Sequence, residues 1–119
     1  MDINNFLQRY ASGERDFDQV DLSRANLGGA ILHQVNLSGA NLSQANLNKA
    51  HLEEANLSNA DLSTTYLTSA NLEGANLSGA NLHKADLDRA NLRAANLTNA
   101  NLKGANFRNA TLPDGTISD

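Results

Sequence analysis

The chain has 119 residues and a mild net charge of −4, enough for one domain and carrying no strongly basic stretch for nucleic acid. It contains no cysteine, which excludes disulfides, thiolate metal sites and cysteine catalysis. Its start lacks a basic segment followed by an apolar run, and no stretch of about 18 apolar residues occurs anywhere, so a soluble cytoplasmic protein is expected.

In residues 1–14, Ile3, Phe6, Leu7 and Tyr10 stand at helical spacing, with Asp2 placed to cap the first turn and Gly13 to end the last. This predicts a short α-helix over residues 3–11. Its amphipathic face suits the open end of a stacked structure, where apolar side chains and unpaired backbone need a cover. Only Arg9 is basic within the helix, which argues against a membrane-surface role.

From Phe17 to Leu112 every fifth residue is large and apolar: 20 positions, 18 of them Leu and two Phe. Two places before each centre stands Ala in 16 cases, the exceptions being Arg15, Val20, Val35 and Thr65. One place before stands Asn in 12 and Asp in four, leaving Ile31, His51, Tyr66 and Thr111. An α-helix advances about 100° per residue, so a step of five scatters the leucines around the axis. A straight strand would send successive leucines to opposite faces. A chain that bends by about a quarter turn every five residues brings every Leu and Ala to one axis, closes a coil in 20 residues, and stacks five coils at about 4.8 Å into a rod of about 24 Å. Asn and Asp suit the recurring corner because they hydrogen-bond nearby backbone. Gly28, Gly29, Gly39, Gly74, Gly79 and Gly104 occupy the two variable places after a centre, where positive φ is expected. Leucine-rich repeats are rejected, because they require unequal Leu spacings within a longer period.

The Ala-Asn-Leu-x-x consensus over residues 15–112 resembles the pentapeptide-repeat family. That resemblance implies an all-β fold, a right-handed quadrilateral parallel β-helix of about five coils with a short N-terminal capping α-helix. The dense, unbroken repeats look like those of cyanobacterial members. The hand also agrees with the general preference of parallel crossovers.

A filled rod offers no concavity for catalysis, and no catalytic, cofactor-binding or metal-binding residue is expected. His33, Glu53, Glu73 and Arg93 should stack at 20-residue spacing, with His51 and Glu54 beside them. Imidazole and carboxylate suit zinc, but exposed flexible side chains at one-coil spacing more often make a solvated ladder. Unrolling the rod gives four sides. The Leu32 side carries Glu53, Glu54, Glu73 and Asp114 against Arg93, a net of −3, while the Leu22 and Leu27 sides are mixed. Beyond the first coil the Leu37 side is uncharged. Asn36, Ser38, Asn56, Ser58, Asn59, Asn76, Ser78, Asn96, Thr98 and Asn99 form a neutral wall there that could receive a protein partner or a second rod. Tyr66, an outward aromatic in an Asn position, is a further candidate contact.

Residues 113–119 are too short to cover the far end as the helix covers the near one. Ile117 keeps the five-residue register and could begin another side or plug the end. The alternative is a homodimer through the C-terminal end around Phe107, Leu112 and Ile117. The expected function is a non-enzymatic protein-interaction module, with no direct nucleic-acid or membrane partner. Family resemblance makes its concrete version a regulatory adaptor, since some members regulate cell differentiation in filamentous cyanobacteria. The alternative it offers is a DNA mimic that binds DNA gyrase. That role calls for a long rod with regularly spaced negative charge, and this chain has one modestly acidic side.

Overall fold

The computed structural model describes Met1–Asp119 and contains one helix, α1, spanning Ile3–Ala11. Asp2 caps it by accepting the Asn4 amide, and beyond the Ser12 C-cap the chain turns through Gly13 at φ 107°, a conformation that favours glycine. The helix lies across the first coil. Phe6 is fully buried with its ring 4.6 Å from that of Phe17, edge to face, and Ile3 and Leu7 pack beside it. Two carbonyls of the first coil that face the helix are taken up by its flanks. The Met1 ammonium donates to Asp21 O at 2.7 Å and the Tyr10 hydroxyl to His33 O at 2.8 Å. Arg15, the one charged residue in an Ala position, stands 3.8 Å over the Tyr10 ring and donates to the Tyr10 and Glu14 carbonyls.

The remainder is a right-handed quadrilateral β-helix. Each side contributes one parallel bridge to the side 20 residues on, from Asp16↔Asn36 through Asn91↔Thr111. Around each bridge the centre amide donates to the next coil, as Leu42 does to Asp61 O at 2.8 Å. The amide one place before the centre donates back, as that of Asp61 does to Ala40 O at 2.9 Å. The sides join through a bend in which the amide three places after the centre returns to the centre carbonyl, as from Ala45 to Leu42 at 3.0 Å.

These corners are type II turns, and they assign the two variable places different roles. Positive φ is confined to the second place. Gly29, Gly39, Gly74, Gly79 and Gly104 have it, and so do 14 non-glycine residues from Gln19 to Asn109, at φ from 53° to 64°. Gly28, in the first place, does not. Where Asn or Asp stands before the centre, at every corner but that of Asp16, it supplies a second bond. Its side-chain oxygen accepts the amide two residues ahead, as Asn56 accepts Ser58 at 3.0 Å. At Tyr66, which cannot do this, the Thr68 amide is accepted by Asn48 Oδ1 of the preceding coil at 2.9 Å.

The core is a column of Leu and Ala: every centre from Phe17 to Leu92 is at most 2% exposed. Thr65 replaces an Ala at 1% exposure because its hydroxyl donates to Leu62 O at 2.8 Å. The overall extents of 38 × 22 × 21 Å match about 24 Å of stacked coil plus a helix about 10 Å thick above and one strand layer of about 5 Å below.

That lower layer departs from the sequence expectation for Ile117. The chain leaves the coil path at Pro113-Asp114-Gly115 and turns back, so that Ile117 pairs antiparallel with Thr111 instead of beginning another side. Antiparallel partners point their side chains to the same face, so Ile117 turns outward like Thr111, is 60% exposed, and does not plug the axis.

Candidate interaction surfaces

Four surfaces singled out by sequence can be placed. On the acidic side, Glu53, Glu54 and Glu73 line a shallow open depression with Gly74 and Ala94. It exists because the second variable place on that side runs Gln34, Glu54, Gly74, Ala94, and the last two leave a notch in the ridge. His51 Nδ1 lies 3.6 Å from Glu53 Oε1, and Asn91 Nδ2 donates to Glu73 Oε2 at 3.3 Å. His33 instead adjoins Tyr10, at 6.2 Å between ring centroids. No three His, Asp or Glu side chains converge in metal-binding geometry.

On the neutral wall, Asn36, Asn56, Asn76 and Asn96 stand in one bridge column. Their side-chain oxygens accept the amides of Ser38, Ser58, Ser78 and Thr98, and the Ser58 hydroxyl donates to Asn56 at 2.7 Å. Along the next column large and small residues alternate as Gln19, Gly39, Asn59, Gly79, Asn99. Gln19 and Asn59 fold over the glycine of the following coil, where an added Cβ would collide with Gln19 Nε2 and Asn59 Oδ1. The wall is therefore flat, and many of its polar groups already bond to one another. Tyr66 is 53% exposed and stands alone in its column between Asn46 and Asp86.

The C-terminal end is different in kind. Leu102 is 37% exposed, and Leu97, Ala100, Ala105, Phe107 and Leu112 are only partly buried, although their counterparts one coil earlier are sealed. The backbone is open as well. The amides of Leu97, Asn99, Leu102, Gly104 and Phe107 and the carbonyls of Ala95, Ala100 and Ala105 make no backbone hydrogen bond, because each points to where a further coil would lie. The tail covers one side of four. Its Ser118 amide donates to Ala110 O at 2.8 Å and its Thr116 carbonyl accepts the Leu112 amide at 2.7 Å, while Ile117 N–H and C=O face away from the rod unpaired. Sequence named Phe107, Leu112 and Ile117 for this end. Leu102, another centre of the same uncovered final coil, is the most exposed of the four and lies on the side opposite the tail.

The shifted titrations sit at these ends. Hydrogen bonds from the Thr116 hydroxyl and amide hold the Asp114 carboxyl below the usual carboxylate range, which pins the tail's turn. The Ser23 amide and hydroxyl do the same for Asp21. At the cap, the Arg9 guanidinium lowers Glu14 by hydrogen bonding, and Glu14 in turn raises Arg9. No helix is long and apolar enough to cross a membrane.

A family model described as pentapeptide repeats matches residues 16–53, 45–83 and 75–114. Among solved structures, a pentapeptide repeat protein from the Arabidopsis thaliana thylakoid lumen is 34% identical at a TM-score of 0.78, covering 88% of this chain and 72% of that one. A pentapeptide repeat protein from Nostoc PCC 7120 is 40% identical at a TM-score of 0.37, covering 87% and 73%. QnrB1, a plasmid-mediated fluoroquinolone resistance protein, is 26% identical at a TM-score of 0.50, covering 80% and 59%. No protein of curated function matches. With its corners, ladders and core column repeating over five coils and the family model spanning them, the chain belongs to the pentapeptide-repeat family.

Proposed function

We propose that this protein is a non-enzymatic interaction module, a rigid rod that works as an adaptor by engaging protein through its C-terminal end. The observation that carries this reading is the contrast between the rod's surfaces. Apart from single exposed side chains at Ile31 and Tyr66, the sides are polar ladders that spend many of their hydrogen bonds on themselves, whereas the end combines exposed Leu102 and partly buried Leu97, Phe107 and Leu112 with an unpaired backbone edge on three of its sides. Apolar surface beside open strand edges is what a partner's backbone can add to. The filled axis leaves no enclosed cavity for chemistry.

DNA mimicry, suggested by the family and by the similarity to a fluoroquinolone resistance protein, receives less support. Its charge requirement is a regular negative array, but the carboxylates of the acidic side gather around one notch, and Arg93 follows them on the same side.

The test immobilises the rod and captures proteins from native extract with wild type, with Leu102→Asp at the end, and with Ser58→Lys and Ser78→Lys together on the neutral wall. Partners lost only with Leu102→Asp support the end. Loss only with the wall variant would move the site there, and gyrase retained by wild type would favour mimicry.

A further inference from the structure

Resting on the reading that the C-terminal end is the interaction surface, we propose that its occupant is a second copy of this chain, turned over so that each tail pairs with the open Leu22 side of the other's last coil. The end is not flat. The tail forms a ledge one strand spacing high beneath the Leu32 side, and the opposite side, at Leu102, has no such layer. A twofold axis across the end, running from the Leu37 side to the Leu27 side, exchanges these two positions. Each ledge then drops into the other rod's step. A twofold from the Leu22 side to the Leu32 side would instead drive ledge against ledge.

The backbone groups match in direction and spacing. Inside the rod, a parallel bridge forms when one residue's N–H donates to the carbonyl before its partner and its C=O accepts the amide after it, as Asn41 does with Val20 O and Leu22 N. At the end, Ala100 O and Leu102 N await such a residue, and Ile117 presents an unused N–H and C=O. Because the tail runs antiparallel to its own side and the partner is inverted, Ile117 meets the partner's Asn101 in parallel orientation. Those are the bonds a sixth coil would supply.

Charge selects the same axis. The ledge carries Asp114 and Asp119, and the step it enters carries Lys103 beside Leu102, all exposed. The competing axis would set Lys103 against Lys103 and the ledge carboxylates against each other. Inward along the ledge, Thr116 and Ser118 take places equivalent to an Ala and a Leu, and Thr65 shows that an Ala place accepts threonine. The 22 × 21 Å cross-section gives about 450 Å² per copy, so the dimer is small and its dissociation constant falls in the micromolar range or above.

Sedimentation equilibrium from about 1 to 500 μM tests this, with circular dichroism confirming that each variant keeps its fold. Wild type should associate to a dimer and no further. Ile117→Pro removes an N–H that the monomer does not use and should weaken the dimer at least tenfold. Lys103→Glu and Asp119→Lys should each weaken it, and the double variant should regain most of the loss. A wild type that stays monomeric at 500 μM would overturn the second-copy assignment while leaving the capture result with Leu102→Asp standing. A dimer indifferent to both Ile117→Pro and Lys103→Glu overturns the assigned interface. Capture unaffected by Leu102→Asp defeats the underlying reading instead.

Discussion

Leu62 sits at the middle of the column, fully buried, with Leu42 above and Leu82 below equally sealed. Replacing it by Asp removes a buried Leu and puts a carboxylate where no donor is free, since the adjacent Thr65 hydroxyl already serves Leu62 O. Large-to-small truncation at such a site costs about 2–5 kcal/mol. An unpaired buried charge adds several kcal/mol more, most of which is avoided only by protonation. Set against a typical domain stability of about 5–15 kcal/mol, Leu62→Asp should leave little folded rod at neutral pH. In a stacked solenoid the loss falls at one interface, so the coils on either side lose their neighbour as well. Leu102→Asp is the internal control, because that centre is 37% exposed and its carboxylate reaches water; it should cost about 1 kcal/mol or less. Leu62→Ala, expected to lose about 2–5 kcal/mol, provides a variant that still folds. Urea melts followed by circular dichroism measure all three. A shift for Leu62→Asp no larger than that for Leu102→Asp would refute the claim that stability resides in the central column.

Three further outcomes follow from the corners. Thr64 is β-branched yet held at φ 53°, so Thr64→Gly should raise stability by about 1 kcal/mol in the same melts, despite the greater freedom of glycine in the unfolded chain. Tyr66→Asn restores the side-chain acceptor that Asn48 now replaces and should stabilise by about 0.5–1 kcal/mol; a loss would show that the Tyr66 ring packs usefully on its column. Asp114 has its carboxyl lowered from 3.8 by its bonds to Thr116, so the stability it lends the tail is complete well above 3.8 and disappears as pH falls through the depressed folded value. Protection of the Ser118 amide from hydrogen exchange should therefore weaken in acid before the core amides do, and Asp114→Asn should remove most of that pH dependence.

How far the fold could be read depended on whether a residue faces the repeat or its ends. Inside the repeat, one bend per five residues imposes identical demands on every corner, and the spacing of Leu62, Thr65 and Ala60 was enough to place each on the axis. The distinction between the two variable places was not visible, because Arg24, Lys49, Glu54 and Ala94 all accept a positive φ that composition alone would reserve for glycine. The amide of each still bonds to the next coil, as that of Glu54 does to Glu73 O at 2.8 Å, so the ladder holds these residues in the turn. At the ends the periodicity loses its authority. Ile117 keeps the register in sequence, but Pro113 offers no amide and Gly115 at φ 89° reverses the chain, so local turn chemistry prevailed over the period. Leu102 is exposed on the opposite side of the coil, which a seven-residue tail would not reach on either path.

The two ends also determine what kind of assembly the rod can form. Parallel stacking is polar: amides of one coil's centres point onward and carbonyls of the first coil point back, so a bare first coil would accept a bare last coil and the rods would grow head to tail without limit. Here α1 stands across the first coil, with Phe6 buried on Phe17 and with the Met1 ammonium and Tyr10 hydroxyl occupying two of the carbonyls that such growth requires. Head-to-tail addition is blocked at that end, so a second copy can reach the open end only with its own open end. A twofold closes after two copies. Growth into fibres therefore requires both the cap and the tail's ledge to go, provided the remaining coils stay folded; Phe6→Ala with Tyr10→Phe in a chain ended after Leu112 should shift sedimentation toward species larger than a dimer, whereas ending the chain there with the cap intact should not. A tailless cap variant that remains folded and never exceeds the assembly state of the tailless rod with its cap would show that α1 does not guard the first coil.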